Sequence, residues 1–446
     1  MKLFKQKLFK QSQKAIAAIL IFSALAGSLT SCGNRGPEGN SAEEPSKESS
    51  LPAVADLPST APFVENDTPT PRPASPDIES PEDFYAYIIP ALLGNAEGEN
   101  RVCSPVNIYM ALAMLTEITA GESQAQLMSL LGEKETTPLR SYVTELWDGN
   151  CRDDQIYTLL PAASLWADKD LSLKKDTVKT LSNSYHASVH QGQMGSDKLN
   201  QEFQEWLSDQ TGGFLDRQVS NQAFSDETVL SLAATLYFKG RWLDEFSKKA
   251  TTEDIFHAES EDITCEFMNR HAVMNYYRGD SFTAIALPFS GGCQMWLLLP
   301  DETSSVEELL QPESGLTALV MHPSEWKDTR YVTVNLSIPK FDVTYDTDLA
   351  DNLMESGVTD VFDPGAADFS AILNAETPVW LSQVTHAARV KIDEEGCEAA
   401  AFTSLALCGA VMAPEEQADF IADRPFIFVI TGDGNVPLFT GLVNRP

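Results

Sequence analysis

The chain has 446 residues, of which 43% are hydrophobic, and its formal net charge is −34. Residues 1–31 hold five lysines and no acid, so the rest of the chain carries −39. A chain of this length can bury a large core, whereas so acidic a protein is not expected to bind nucleic acid.

The N-terminus is typical of an exported protein. Its basic stretch holds Lys2, Lys5, Lys7, Lys10 and Lys14, and an apolar run over residues 15–29 follows. That run has signal-peptide length and is short for a membrane span, with an uncleaved anchor as the alternative. Residues 29–32, Leu-Thr-Ser-Cys, resemble a bacterial lipobox. We expect a lipoprotein signal peptide over residues 1–31 and a lipid on Cys32, which anchors the protein to a bacterial membrane outside the cytoplasm, at the cell surface or in the periplasm.

Residues 32–80 differ in composition from the rest of the chain. They are rich in Pro, Ser, Glu and Gly and poor in large apolar side chains. Such a segment cannot bury enough surface to offset the entropy lost on ordering, so we interpret it as a disordered tether. No second segment of this kind follows, and residues 81–446 are therefore predicted to form one domain.

A helix is predicted to start at Ser104-Pro105, where a hydroxyl cap precedes a proline in the first turn. The apolar residues that follow have the i, i+3, i+4, i+7 spacing of a half-buried helix: Ile108, Ala111, Leu112 and Leu115.

Strands are predicted later in the chain. Val332, Val334, Leu336 and Ile338 alternate with polar residues, and residues 296–299 and 426–430 are short apolar runs. Helices first and strands later, without a regular βαβ order, indicate an α+β domain with large, mostly antiparallel sheets.

The segment from Asp393 to Pro425 is the most informative part of the sequence. From Gly396 onward it lacks a helix period and a tight hairpin signal over 29 positions, which is long for a loop without function. It nevertheless alternates with period 2, so it is a latent strand. One side of that pattern is small or apolar: Cys397, Ala399, Ala401, Thr403, Leu405 and Leu407. The other side holds Glu398, Ala400, Phe402 and Ser404.

From about Pro81 to Pro446 the chain resembles the serpins, a family of suicide-substrate protease inhibitors, and this segment matches their hinge and reactive-centre loop (about residues 394–423). Further matching motifs lie in order along the domain: Asn100 with Ser104-Pro105, Tyr237 to Trp242 with Phe246, Pro339-Lys340-Phe341, Ala367 to Ser370, His386-Ala387-Ala388, and Pro437 to Gly441 with Pro446.

The resemblance implies a serpin fold, in which several helices surround a large, mostly antiparallel sheet and further sheets, with an exposed reactive-centre loop. It implies that the protein is not an enzyme. A target serine or cysteine protease cleaves the loop, forms an acyl-enzyme, and is dragged away as the loop inserts into the sheet. The hinge would consist of Glu394, Glu395, Gly396, Cys397, Glu398, Ala399, Ala400, Ala401, Phe402 and Thr403. Inward positions are small, although Cys397 replaces the usual threonine, and no proline interrupts residues 396–412. These features favour an inhibitory member; a non-inhibitory surface binding module is the alternative.

By position, Ser104, Asn107 and His386 match the family's polar residues at the centre of the largest sheet, and Trp242 matches the tryptophan where the loop first enters it. The family usually has serine at Asn107 and asparagine at Ala234. We hypothesise that the Asn107 carboxamide replaces the one missing at Ala234, because an unpaired buried polar group costs about 1–3 kcal/mol.

With the hinge length usual in the family, the resemblance implies a scissile bond at Ala410–Val411 when counted forward from Glu394 and Gly396. Counted back from Pro425-Phe426, the bond falls a few residues later, and Met412–Ala413 is the second choice. Alanine or valine suits an elastase-like protease, and Met412 a chymotrypsin- or subtilisin-like one. No Lys or Arg lies between residues 391 and 424, which disfavours trypsin-like targets.

Other chemistry is not predicted. Hydrolase, zinc-peptidase and phosphate-loop motifs are missing from the sequence. His186 and His190 would bind a metal together only on a helix, and this stretch resembles a strand. Six cysteines besides Cys32 are irregularly spaced and are expected to be mostly buried thiols, with Cys408 exposed by the loop. Residues 147–155 are acidic where heparin-binding members are basic. We expect no cofactor, no metal, no heparin-like partner, and a monomer that contacts membrane only through its lipid.

Overall fold

The computed structural model describes residues 76–154, 157–216, 222–374, 378–397 and 414–446. All of them belong to the compact unit that spans residues 69–446. The signal peptide, Cys32, most of the tether, the hinge residues from Glu398 to Thr403, Cys408 and the reactive-bond residues 410–413 lie outside the described residues. Among the described helices, none combines the length and the apolar character needed to cross a membrane.

In the part of the domain that the structure describes, six longer helices come early: α1 (Pro81–Leu93), α2 (Pro105–Thr116), α3 (Gly121–Leu130), α4 (Thr136–Asn150), α5 (Lys175–Ser184) and α6 (Asp197–Gln210). Three short ones follow: α7 (Val306–Leu309), α8 (Leu316–Met321) and α9 (Ala350–Glu355). Short 3-10 turns cover Pro312–Ser314, Pro323–Glu325, Asp360–Phe362 and Asp433–Asn435.

Among the described residues, one sheet has nine strands, in the order β1-β16-β15-β9-β8-β7-β10-β14 with β6 beside β7. Its strands are β1 (Arg101–Cys103), β6 (Thr252–His257), β7 (Asp262–Arg278), β8 (Phe282–Pro288), β9 (Gln294–Pro300), β10 (Thr329–Pro339), β14 (Gln417–Ile421), β15 (Phe426–Thr431) and β16 (Pro437–Val443). Only the β10–β14 pair is parallel among the pairings described for this sheet.

The second sheet has seven strands, in the order β11-β12-β13-β5-β3-β2 with β4 beside β3. They are β2 (Arg152–Asp153), β3 (Tyr157–Asp168), β4 (Ser188–Gly192), β5 (Leu230–Arg241), β11 (Phe341–Asp348), β12 (Leu381–Ile392) and β13 (Gly396–Cys397). The expected α+β class with large, mostly antiparallel sheets is confirmed.

The helix predicted at Ser104-Pro105 is confirmed as α2, and the Ser104 side chain caps it by accepting from Asn107 N. It is not half-buried, however, because all twelve of its residues are buried. Contacts with α3, α4, β5 and β16 surround it, so the apolar stripe is one part of a helix that is covered on every side. The alternating residues 332–338 lie in β10 as predicted, with the valines, leucine and isoleucine buried.

The two faces of the seven-stranded sheet pack differently. Leu232, Ala234 and Leu236 of β5 face the main core, whereas Ala233 joins a smaller cluster with residues of α6. Because side chains alternate along a strand, the parity of a residue number tells which side of the sheet it faces in β5, and in β12 after the irregularity between Leu381 and Gln383.

Candidate functional site

The candidate site is the junction between β5 and β12, which we call the seam. These two strands pair in parallel from Leu381↔Leu230 to Ala387↔Thr235. Beyond this stretch they separate, and β13 lies between them, antiparallel to both. The seam is therefore closed along its middle and already open at one end. Of the polar residues predicted for the centre of the largest sheet, His386 lies in β12 of this seven-stranded sheet, whereas Ser104 and Asn107 lie at the start of α2. Among the described residues the nine-stranded sheet is the larger by strand number.

The chain enters the seam through a tight turn over Asp393 to Cys397. We call this turn, together with Trp242, the hinge end. Asp393 N donates to Gly396 O at 3.0 Å, and Asp393 Oδ1 accepts from Glu395 N at 2.9 Å. The segment predicted to lack a tight hairpin signal begins at Gly396, so this turn lies at its start. The aspartate acts as the acceptor of a local turn, a role typical of Asp in such positions.

Gly396 is required by the geometry of this reversal. Its φ is +145°, a conformation that residues with a Cβ rarely adopt. A Cβ would collide with the Gly240 carbonyl oxygen and lie 2.7 Å from Arg241 Cα. Backbone cannot move aside as a side chain does, so only glycine lets the chain pass this close to β5.

Cys397 lies inside the sheet and is 1% exposed. It pairs with Gly240 of β5 and with Ile392 of β12, and its side chain belongs to the main core. The expectation of an exposed loop starting at about residue 394 is therefore wrong for the hinge residues from Gly396 to Cys397. Two strands with free ladder groups flank this position, and pairing with both removes those unpaired groups.

Trp242 lies at the entrance to the seam, next to the turn. Its indole Nε1 donates to Asp393 O at 2.9 Å, and its backbone N donates to Glu395 O at 3.0 Å. The ring stacks on Phe289 with centroids 4.3 Å apart. Trp242 therefore holds the turn through two hydrogen bonds, one from its indole ring and one from its backbone.

Glu394 is held by two partners although its side chain is only 6% exposed. Its Oε1 accepts from Lys340 Nζ and from Thr251 Oγ1, each at 2.8 Å. Burial alone would raise the pKa of Glu394, but Lys340 and Thr251 outweigh burial and hold this pKa below its ordinary value. The carboxylate is thus a fixed anion that fastens the hinge end to the β10–β11 junction.

Glu395 makes a different kind of contact. Its carboxylate meets Lys248 Nζ at 2.6 Å, and the lysine side chain is 68% exposed. Solvent screens such a pair, so it contributes little to stability.

The middle of the seam, which we call the seam centre, holds Ser104, Asn107, Ala234 and His386. His386 Nε2 accepts from Ser104 N at 3.1 Å, so α2 begins directly against β12. Burial lowers the pKa of His386 to about 4, and the ring is neutral at neutral pH. Because Nε2 is an acceptor, the ring proton is on Nδ1.

The hydrogen bonding of the seam centre is incomplete. His386 Nδ1 and Asn107 Nδ2 are both buried and have no hydrogen-bond partner among the described residues. Ala234 lies directly opposite His386 and offers no polar atom. The structure does not show the expected compensation by Asn107, because its carboxamide nitrogen is itself unpaired.

The predicted loop also ends earlier in the chain than expected. Residues 417–421 form β14, which pairs in parallel with β10, so the predicted limit at about 423 lies beyond a strand. Arg330 holds Glu416 at 3.0 Å just before this strand. Between the described residues Cys397 and Pro414, sixteen positions remain.

The histidine and cysteine predictions can be compared with the described residues. His190 lies in β4 and His186 follows the end of α5, and they stack separately on Trp166 and Trp147. Within the described ranges there is no group of three ligating side chains suited to a metal. Cys103, Cys293 and Cys397 are buried cysteines, and Cys151 and Cys265 are partly buried ones.

Sequence reasoning missed Lys340 and Thr251 as partners of the hinge. Lys340 was noted only as part of a motif, and Thr251 carried no signal at all. A lone buried glutamate at position 394 would have predicted a cation nearby, but not which one.

The chain can be compared with known proteins. A family model described as serpin (serine protease inhibitor) matches residues 79–446. Leukocyte elastase inhibitor of Homo sapiens is 28% identical over 375 residues, which cover 81% of this chain and 97% of that protein. Plasminogen activator inhibitor 1 of Sus scrofa is 29% identical over 382 residues, 82% of this chain and 91% of that protein.

Solved structures agree on the fold. Tengpin, a thermophilic serpin in the native state, superposes with a TM-score of 0.74 at 24% identity, covering 84% of this chain and 96% of that one. Arabidopsis AtSerpin1 in its native stressed conformation gives a TM-score of 0.71 at 25% identity, covering 82% and 95%. The predicted fold is confirmed.

Proposed function

The chain belongs to the serpin family, and from that premise we propose that it is a suicide-substrate inhibitor of extracellular serine proteases, with elastase-like enzymes as its targets. Serpins are in general protease inhibitors. The proposal adds three points: this member is inhibitory, its targets are elastase-like serine proteases, and it meets them outside the cell.

One observation carries the proposal. Gly396 and Cys397 already occupy a strand position between β5 and β12, and the closed part of the seam continues in line with them. A segment that follows Cys397 with alternating small residues can extend this strand if the seam opens. The hinge thus supports insertion geometrically, with no change of direction needed.

The protease supplies the chemistry. Its nucleophile attacks the carbonyl carbon of Ala410, the Ala410–Val411 bond breaks, and Val411 leaves as a new amine. The protease is then held as an ester or thioester on Ala410. In the proposed mechanism, insertion carries this acyl-enzyme across the sheet before water can hydrolyse it.

The free energies are compatible with this step. A new central strand of about a dozen residues closes about a dozen ladder hydrogen bonds, each contributing about 0.5–1.5 kcal/mol net, so the total is on the order of 6–18 kcal/mol. Distorting the bound protease must overcome part of a stability of about 5–15 kcal/mol.

Small side chains around the proposed bond support an elastase-like target. Ala410 and Val411 fit a small apolar pocket, and a protein named leukocyte elastase inhibitor aligns over nearly its whole length. Met412–Ala413 is the second choice and would direct the protein to chymotrypsin- or subtilisin-like enzymes; cysteine proteases are a further class to test.

We also propose that Cys32 carries a lipid that anchors the protein to a bacterial membrane, outside the cytoplasm. The basic and apolar segments before Cys32 support this. Metabolic labelling with a fatty-acid analogue should label the wild-type chain and leave Cys32→Ser unlabelled. Equal labelling of both would contradict the anchor.

The inhibitory function is tested by mixing the protein with a panel of serine and cysteine proteases. We expect an SDS-stable complex with elastase-like enzymes and none with trypsin. Mass spectrometry of the released C-terminal peptide identifies the cleaved bond. If every protease of the panel leaves only cleaved or intact protein, the chain is a non-inhibitory member, and the binding-module alternative is favoured.

A further inference from the structure

A serine and a histidine form a close pair on β4, which lies beside β3 and away from the seam. Ser188 and His190 are two residues apart in this strand, so both side chains face the same side of the sheet. Ser188 Oγ lies 2.9 Å from His190 Nε2, which is hydrogen-bond distance. Both residues are only half-buried, so a small reagent can reach them. The pair has the arrangement of a hydroxyl nucleophile beside a base.

The histidine ring is held in one orientation. It stacks on the indole of Trp166, with the ring centroids 4.0 Å apart and the planes inclined by 9°. Trp166 is fully buried, and its Nε1 donates to Ser164 Oγ at 2.7 Å, so the surface under the histidine is itself fixed. Stacking on Trp166 thus orients the base, a role that a carboxylate has in the triads of serine hydrolases.

The charges around the ring leave it neutral. Burial lowers the pKa of His190, and Glu202 of α6 raises it by a smaller amount. The Glu202 carboxylate is paired with Lys198 Nζ at 3.6 Å. Asp168 of β3, on the same side of the sheet as Trp166, accepts from two backbone N–H groups. His190 is therefore uncharged at neutral pH, and Nε2 accepts the Ser188 hydroxyl when the ring proton is on Nδ1.

Aromatic side chains from α6 and the chain after it border the pair. The ring centroids of Phe203 and Phe224 lie 5.1 and 5.7 Å from that of Trp166. Trp206, which is partly buried, follows at 6.4 Å. Such a surface favours apolar and aromatic groups. Small aryl esters are therefore better matched to this site than charged reagents.

We propose that Ser188 and His190 form a nucleophilic pair that takes the acyl group of small, apolar, activated esters. Ser188 Oγ attacks the carbonyl carbon of the ester while His190 Nε2 takes the hydroxyl proton. The bond from the carbonyl carbon to the leaving oxygen then breaks, and the proton passes from His190 to that oxygen. The products are an ester on Ser188 and a free phenol, so no further reactant is needed. This site requires neither cleavage nor insertion of the loop.

The test uses the full-length protein and p-nitrophenyl acetate, whose phenolate product is coloured. We expect an initial burst of p-nitrophenolate, and mass spectrometry should find the acetyl group on Ser188. Ser188→Ala should lose the acetyl group from this peptide. His190→Gln, which keeps a polar side chain but has no base, should slow the acetylation of Ser188 about 10²–10⁴-fold.

Ser184→Ala is the matched control. Ser184 and His186 have the same spacing in the sequence, but they lie at the end of α5 and not in a strand. This variant should acetylate Ser188 at the wild-type rate, and Ser184 should stay unmodified in the wild type. Equal unfolding midpoints of all variants show that each one is folded.

The pH profile separates a base from a residue that only supports the structure. The wild-type rate should fall as the pH drops through the folded pKa of His190, because the protonated ring cannot take the hydroxyl proton. Since burial lowers this pKa, the fall should come at a lower pH than for an exposed histidine. His190→Gln should not show this inflection.

Two outcomes overturn the proposal. If Ser188 stays unmodified while exposed lysines are acetylated, its hydroxyl is not a nucleophile. If His190→Gln is acetylated on Ser188 as fast as the wild type, the histidine is not its base. Neither outcome bears on the inhibitory function, which the protease panel tests separately.

Discussion

The hinge end and the seam centre lie along the same seam, yet they differ in whether their polar side chains have hydrogen-bond partners. At the hinge end, Asp393, Glu394, Glu395 and Trp242 all have hydrogen-bond or ion-pair partners. At the seam centre, His386 Nδ1 and Asn107 Nδ2 have none among the described residues. Hydrogen bonds and ion pairs hold the hinge end, whereas two buried donors of the seam centre lack a partner among the described residues.

This difference indicates how the uncleaved form is held. A well-bonded entrance keeps Gly396 and Cys397 in register between β5 and β12. An under-bonded centre offers little resistance once the loop is cut, because opening it breaks few favourable side-chain contacts. The comparison predicts that changes along the path of insertion affect inhibition, whereas changes at the entrance affect the stability of the uncleaved protein.

We expect the largest effect on inhibition from substitutions in the part of the loop that would insert into the sheet. In the proposed mechanism, Thr403→Arg would bring a charge into the sheet as the loop inserts, and Ala401→Pro would remove a ladder hydrogen bond from the inserted strand. We expect both variants to be cleaved as ordinary substrates, with complete loss of the SDS-stable protease complex.

Thr403→Ser is the matched control and should retain the complex. The measurement is a gel with the protease that the wild type traps. A complex of normal yield with Thr403→Arg would mean that position 403 never enters the sheet.

The next largest effect is expected from Gly396→Ala at the entrance. The added Cβ meets backbone atoms of β5, and the required φ of +145° is strained for alanine. We expect the hinge to leave the seam, with a loss of about 1–3 kcal/mol from the free energy of unfolding. Cys397 should then react with a thiol reagent, as mapped by mass spectrometry.

Gly292→Ala is the control for this variant, since Gly292 has a similar φ of +108° but no atom near the added Cβ. It should leave Cys397 unreactive. If Cys397 is equally protected in Gly396→Ala, β13 tolerates the Cβ, and the close approach does not hold the hinge.

Much of the fold was predictable because its signals are local. The Ser104 cap and the alternating residues of β10 are read from neighbouring positions, and the matching family motifs include Trp242 and His386. The reversal at Asp393 was not predictable, since it depends on β5 and β12 separating at one end. The same holds for Lys340, which is 54 positions away from Glu394 and meets it only in the folded chain.

The hydrogen bonding of the seam centre could not be predicted from the sequence either. Two departures from the family pattern, Asn107 and Ala234, suggested that one replaces the other. Whether the carboxamide reaches a partner depends on the start of α2 and the rotation of its side chain, which no sequence pattern determines. The structure shows the nitrogen unpaired instead.

A third prediction concerns pH and the seam centre. His386 has a pKa of about 4 in the folded protein, below the ordinary value of 6.5. Between these values the unfolded chain binds a proton that the folded protein does not, so stability is lost as the pH falls. We expect a contribution of about 1.4 kcal/mol per pH unit between pH 6 and pH 4.

Other groups titrate in this range, so the comparison is made with His386→Gln, which keeps a polar side chain. Unfolding midpoints measured at pH 7.5, 5.5 and 4.5 should converge between the two proteins as the pH falls. Parallel curves would show that His386 takes up its proton equally easily in the folded and unfolded states.

The smallest effects separate the two glutamates of the hinge end. Glu394→Gln keeps the size of a buried side chain but removes the charge that pairs with Lys340, and we expect a loss of about 1–3 kcal/mol from the free energy of unfolding. Because the folded pKa of Glu394 is lowered, this contribution is present above the unfolded pKa and disappears as the pH falls through the folded one. Glu395→Gln, whose partner Lys248 is mostly exposed, should change the unfolding midpoint little and lose even that change in high salt. An equal loss from both variants would show that the hinge end is held by charge alone, whereas the expected inequality attributes its strength to burial around Glu394.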